Sequence, residues 1–301
     1  MRSMHFVLTV IGAPGSRPLD ESLIDAVFTA LGEAGAAHGA PQWLDPGYAF
    51  DIPIESALPK SAEAAVRERL AGAPFDIAVL PVEGRRKAVL VADMESTVIA
   101  QELLDELAEA VGIRTQIAKI TARAMAGELD FEAALKARVG LLAGLPVATL
   151  DEMRERITLN PGARALVQTM RAHGAYAALV SGGFTHFTET VQARCGFDEA
   201  HGNRLVFAGG TLSGEVAAPV LGAAAKHETL MRLCAARGSG LDAACAVGDG
   251  ANDLAMVRAA GLGVAYRAKP VLREAAQVHI EHGDLTALLY LQGYRRDEFS
   301  D

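Results

Sequence analysis

Asp93 and Glu95 stand two residues apart where the apolar run Val89-Leu90-Val91-Ala92 ends. On extended backbone that spacing lets both side chains face the same side. A carboxylate nucleophile beside a second carboxyl group suits two-step phosphoryl transfer. Asp93 would attack phosphorus to give an aspartyl phosphate, while Glu95 protonates the departing alcohol and later activates water. Two carboxylates repel a dianionic ester, so a divalent cation is expected; Mg²⁺ keeps its waters and needs few carboxylates. Taken alone, the pair reads equally well as an acidic turn after a strand.

Two further apolar runs end in residues of the same chemistry. Tyr176-Ala177-Ala178-Leu179-Val180 leads into Ser181-Gly182-Gly183, a hydroxyl with backbone N–H groups that a phosphate could approach closely. By itself this is more often a glycine-rich turn. Ala244-Cys245-Ala246-Val247-Gly248 leads into Asp249-Gly250-Ala251-Asn252-Asp253, two carboxylates and an amide in one turn. Metal binding is the better reading there, and the spacing does not match a calcium EF-hand loop. Lys226, between these segments, looks like an ordinary surface lysine when read alone.

Each run reads as a buried parallel strand, and ligands of open α/β sheets bind outside the carboxyl ends of such strands. The predicted fold is α/β: a doubly wound, parallel, Rossmann-like sheet with an inserted helical cap. A small N-terminal ferredoxin-like α+β unit precedes it. That unit is expected over 1–84, with strands at 6–11, 48–54 and 75–81, helices at 19–31 and 62–70, and a faint strand near 41–44. The second domain is expected over 85–301. Its cap covers about 99–160, broken near Gly127 and at Gly144-Leu145-Pro146, and Leu103, Leu104, Leu107 and Val111 carry a helical period. Residues 203–216, with Gly209-Gly210 at the centre, predict a hairpin.

Order and spacing together carry more than any single motif. The Asp93 segment, Ser181-Gly182-Gly183, Lys226 and Gly248-Asp249-Gly250-x-Asn252-Asp253 resemble the four motifs of the haloacid dehalogenase superfamily. Asp93-Met94-Glu95-Ser96-Thr97-x-x-x-Gln101-Glu102, Ala124-Met125-x-Gly127, Arg138-Val139-x-Leu141-Leu142 and Val180-Ser181-Gly182-Gly183-Phe184 are similar to its phosphoserine phosphatases, over roughly 87–294. Residues 1–84 resemble, more weakly, the ACT-like domain of some bacterial members.

The resemblance implies Mg²⁺-dependent hydrolysis of O-phospho-L-serine, the last step of serine biosynthesis. It gives Asp93, Glu95 and Lys226 catalytic roles. Asp93, Asp249 and the backbone carbonyl of Glu95 would hold the metal, with Asp253 behind them. Ser181, Gly182 and Asn252 would bind phosphate, Glu102 the substrate ammonium and Arg138 its carboxylate, a fork suited to planar oxygens. Met125 and Phe131 would line the apolar side. The family usually has Asp where this chain has Glu95, so the acid/base carboxyl rides on one more methylene. Transfer to another alcohol such as homoserine, and a silent amino-acid sensor, stay open as alternatives.

Composition narrows the partners. At 301 residues with net charge −9 and no dense basic cluster beyond Arg85-Arg86-Lys87, nucleic acid is not expected. No apolar stretch is long enough to span a bilayer. Three cysteines without CxxC spacing point to a reduced, cytoplasmic setting. A homodimer is left open. His279 and His282 have weak ligand spacing and are expected to lie away from the chemistry.

Overall fold

The computed structural model describes residues 5–16, 18–125 and 128–300, without the side chain of Met125. The chain opens with β1 (Phe6–Gly12), α1 (Glu21–Glu33), β2 (Ala37–His38), β3 (Gln42–Asp45), β4 (Ala49–Glu55), α2 (Pro59–Arg69) and β5 (Phe75–Pro81). Both β2 and β3 pair antiparallel with β4, which pairs with β1, and β1 with β5. This is the ferredoxin-like order, and the faint strand expected near 41–44 is β3. Asp20 caps α1, its carboxylate accepting the Leu23 N–H at 3.0 Å.

One face of this sheet packs on α1 and α2 through Val27, Leu31, Ile52 and Val66. Its other face contributes Ile11, Leu44, Ala49, Ala78 and Leu80 to the core of the following sheet. Polar groups fix the seam. Arg85 donates to Asp51 (2.5 and 2.9 Å), to Thr9 and to the carbonyls of Tyr290 and Leu291. Asp76 accepts the backbone N–H groups of Glu281, His282 and Gly283. Asp51 is only 5% exposed, so Arg85→Ala would strand a buried carboxylate. We expect a loss of roughly 3–5 kcal/mol in denaturant unfolding; an unchanged midpoint would mean that water compensates Asp51.

The second sheet is built from β6 (Val89–Ala92), β7 (Tyr176–Phe184), β8 (Glu199–Ala208), β9 (Thr211–Ala217), β10 (Ala244–Gly248), β11 (Leu262–Tyr266) and β12 (Val278–Ile280). Their order is β12-β11-β10-β6-β7-β8-β9, parallel except for β9, which returns antiparallel on β8. The hairpin turns at Gly209 and Gly210, both with positive φ, as a two-residue turn between twisted strands requires. Strands β6, β10 and β11 are buried along their whole length, which is why they read as unbroken apolar runs. From β6 the chain first builds outward through β7 and β8, then returns to the other side of β6 with β10. The strand order therefore reverses at β6 and β10, where a crevice opens at the strand ends.

Between β6 and β7 lie α3 (Leu103–Ala110), α4 (Arg114–Met125), α5 (Phe131–Gly140), α6 (Val147–Glu155) and α7 (Ala163–Ala172). The first four form the cap, with a further break at Gly112; the expected break at Gly127 lies outside the described residues. The cap's two linkers pair with each other. Ala100 N–H donates to the Thr158 carbonyl, Asn160 N–H to that of Val98, and the Asn160 side chain to Thr97 and Ile99. The remaining helices are α8 (Thr185–Cys195), α9 (Ala223–Ala236), α10 (Leu254–Ala259), α11 (Pro270–Arg273) and α12 (Ala287–Leu291). Among the described residues no helix is long and apolar enough to cross a membrane. All three cysteines are buried and unpaired.

Candidate active site

Adjacent parallel strands bring the scattered motifs together. Ala92 is in register with Val247 of β10 and with Leu179 of β7, so Asp93, Asp249 and Ser181 leave neighbouring strand ends. They open into one cavity of about 610 Å³, walled on the far side by cap residues Glu102, Phe131 and Arg138. Asn252 and Gly182 also line it. Of the site residues read from sequence, Lys226 and Asp253 lie buried beneath the cavity. The side chain of Met125 lies outside the described residues. His279 and His282 are not among the lining residues.

Beneath the floor, Lys226 Nζ lies 2.6 Å from Asp93 Oδ1 and 2.6 Å from Asp253 Oδ1. Its burial opposes the charge, but Asp93 and Asp253 outweigh that and hold the ammonium protonated. Asp93 also accepts the Met94 N–H at 2.8 Å. Burial pushes the Asp93 carboxyl well above the usual carboxylate range, and the pull of Lys226 offsets only part of that. The lysine fixes one oxygen in place, leaving the other to act.

Asp93, Asp249 and Asp253 are all buried and place carboxylate oxygens within 4.8 Å of one another, an all-oxygen donor set of the kind a hard divalent cation takes. Their other bonds divide the roles. Asp253 spends one oxygen on Lys226 and the other on the N–H groups of Asp249 and Gly250. It serves as a brace for the turn. Among the described residues Asp249 has only Lys269, at 3.3 Å, as an ion-pair partner. Asp93 and Asp249 thus have free oxygen capacity for a metal.

Glu95 follows on extended backbone (φ −71°, ψ 139°), and Ser96 then turns the chain with φ 55°. One Glu95 oxygen accepts the Leu103 N–H at 2.9 Å, at the first turn of the cap helix α3. The other lies over Gly183, where a Cβ would stand 3.0 Å from it. Glycine at 183 leaves room for the longer side chain. Burial, then the charge of Glu102, push the Glu95 carboxyl up to about 8, while the Leu103 N–H works the other way. At neutral pH it is a proton donor. Gly183 N–H donates to Ser181 Oγ at 2.9 Å, which leaves the Ser181 hydroxyl proton for an anion in the cavity. Strand β7 runs on past Ser181 to Phe184, and its pairing with β8 is irregular between Val180 and Phe184. The expected turn is therefore a bulged strand end.

The cap wall is charged in two halves. Arg138 donates only to the Ala134 carbonyl, at 3.3 Å, and has no ion pair among the described residues. Burial lowers its basicity against the opposing pull of Asp105, Glu95 and Glu102. Glu102 accepts the Ser96 hydroxyl at 2.7 Å. Phe131 reaches across to Gly182 and Gly222. Sequence reading missed Lys269, Asp105 and Ser96. The loop after β11 could have been flagged, because Lys269 lies three residues past the end of the strand next to β10.

The family model of haloacid dehalogenase-like hydrolases matches residues 90–258. A phosphoserine phosphatase of Streptomyces coelicolor is 41% identical over 296 residues, covering 97% of this chain and 71% of that protein. Among solved structures, a HAD family hydrolase from Salmonella enterica serovar Typhi superposes with a TM-score of 0.82 at 30% identity, covering 95% of this chain and 98% of that one. A substrate-bound phosphoserine phosphatase has a TM-score of 0.62 at 38% identity, covering 68% of this chain and 98% of its own.

Proposed function

The chain belongs to the haloacid dehalogenase-like hydrolases, among the phosphoserine phosphatases, and from that premise we propose that it hydrolyses O-phospho-L-serine to L-serine and phosphate. The observation that carries this reading is the cavity itself. A carboxylate nucleophile and a protonated carboxyl face a wall holding one desolvated arginine and one glutamate. A phosphate ester bearing both a carboxylate and an ammonium matches that set. In this reading residues 1–84 are the ACT-like unit, 85–301 the phosphatase unit, and about 99–160 the cap.

The free oxygen of Asp93 attacks phosphorus in line with the seryl oxygen; the P–O bond to serine breaks and Glu95 supplies the proton that oxygen needs. The aspartyl phosphate is then cleaved by water, whose proton returns to Glu95. Lys226 holds Asp93 in place throughout, while Ser181 and the backbone around Gly182, with Asn252, hold the phosphoryl oxygens. Mg²⁺, held by Asp93, Asp249 and the Glu95 carbonyl, would offset the repulsion between carboxylates and ester. The Glu102 carboxylate takes the ammonium, and the Arg138 guanidinium takes the carboxylate.

Arg138→Ala tests the substrate assignment. Its kcat/KM for phosphoserine should fall about 10- to 100-fold, the ~1.5–3 kcal/mol of a hydrogen bond to a charged group. Phosphoethanolamine, which has no carboxylate, should lose little. Equal losses for both esters would remove Arg138 as the carboxylate clamp. Free-phosphate release unchanged by added homoserine would exclude transfer to that acceptor.

A further inference from the structure

Two lysines serve the catalytic cavity, and the structure holds them differently. Lys226, beneath the floor, is 2% exposed and wedged between Asp93 and Asp253. Lys269 stands at the rim, its side chain 65% exposed and its Nζ 3.3 Å from Asp249 Oδ2. Among the described residues neither Lys269 nor Asp249 has another ion-pair partner. The backbone of Lys269 is pinned on both sides. Its N–H donates to the Asp249 carbonyl at 2.8 Å, and its own carbonyl accepts the Leu272 and Arg273 N–H groups at the start of α11. Only the four-carbon stem is left to move. Its head reaches over Gly250, where a Cβ would lie 3.7 Å from Nζ.

The three clustered carboxylates are therefore countered unequally. Asp253 is fully engaged by Lys226 and two backbone N–H groups, and Asp93 shares the same buried lysine. Asp249 has an exposed ammonium on a flexible stem. Such a pair is weak, because water screens it and ordering a long side chain opposes it. A divalent cation carries twice the charge and takes carboxylate oxygen directly. We propose that Lys269 is the counterion of Asp249 in the metal-free site, that a divalent cation displaces its ammonium, and that this exchange sets the metal affinity.

This role rests on the Mg²⁺ site proposed above, and it follows from charge. Without Lys269, three carboxylates whose oxygens lie within 4.8 Å of one another would share one buried lysine. With it the empty cluster stays assembled, and metal entry breaks one weak pair. Lys226 cannot make the exchange, since leaving its place would strand two buried carboxylates. A displaced Lys269 stays tethered at the rim through its pinned backbone, and returns when the metal leaves. A lysine that instead held Asp249 in position for the metal would act in the opposite direction, so the sign of the effect of its removal separates the two.

The test is isothermal titration of the full chain with MgCl₂ at low ionic strength, without substrate, for the wild type and its variants. Lys269→Met keeps the length of the stem and removes its charge; Mg²⁺ should then bind about three- to tenfold more tightly. Lys269→Arg restores the cation and should bring the affinity back close to the wild-type value. Arg273→Met removes a positive charge from the same helix, on the side facing Glu281, and should leave Mg²⁺ binding unchanged. That control separates exchange at Asp249 from a change in overall charge. Weaker or unchanged Mg²⁺ binding by Lys269→Met, or an equal gain in Arg273→Met, would overturn the proposal while leaving the metal site standing. A wild type that hydrolyses phosphoserine yet takes up no Mg²⁺ would overturn the metal site, and the role of Lys269 with it.

Discussion

Asp93→Asn abolishes turnover of phosphoserine while the protein stays folded. The amide keeps the shape of the carboxyl group and can still accept the Met94 N–H, but it cannot attack phosphorus. Covalent catalysis is lost outright, so the remaining rate should lie at or below the limit of detection. The ion pair of Lys226 with Asp253, at 2.6 Å, is retained, which limits the structural damage. Acid-quenched wild-type enzyme should carry phosphate on Asp93, readable by mass spectrometry of the peptide. Near-normal turnover by the Asn variant, or phosphate trapped on another residue, would rule out the covalent route.

Glu95→Gln should lower kcat by roughly 10²–10⁴, the usual worth of general acid–base catalysis. Its carbonyl oxygen can still take the Leu103 N–H, so a loss of rate without a loss of thermal stability isolates proton transfer from packing. Wild-type kcat/KM should fall as pH rises through about 8, where Glu95 gives up the proton it must deliver. That falling limb should be absent in the Gln variant. Because the folded-state pKa is raised, the protonated carboxyl favours folding at low pH, and the benefit is lost as pH climbs from the usual glutamate range through about 8. Glu95→Asp is the companion test. The shorter side chain keeps the acid but retreats from Leu103, so it should retain activity. An inactive Asp variant beside an active Gln variant would show that position 95 holds the cap and does not move protons.

Much of the molecule was legible in its sequence for definite reasons. Strands β6, β10 and β11 are buried on both faces, and so appear as unbroken apolar runs, each followed by its chemistry. The order Asp93, Ser181, Asp249 is legible because a parallel sheet delivers every strand to the same end. The strand expected at 48–54 is β4, paired on both edges within its sheet, whereas short β2 and the edge strand β3 leave only a weak signal.

What the sequence could not express is distance between residues far apart in it. Lys226 is an ordinary lysine until α9 carries it under the floor between two aspartates, where burial makes its charge matter. The Glu95 carboxyl is an extended acid on paper; only the fold gives it an N–H from the cap and the open space over Gly183. Nothing in the sequence pairs Arg85, Asp51 and Asp76 with their partners, yet they become the buried seam because the N-terminal sheet spends its second face on its neighbour. Local pattern specifies elements because it depends on near neighbours along the chain. Desolvation, charge pairing and the closure of a cavity depend on neighbours in space, and only tertiary structure decides those.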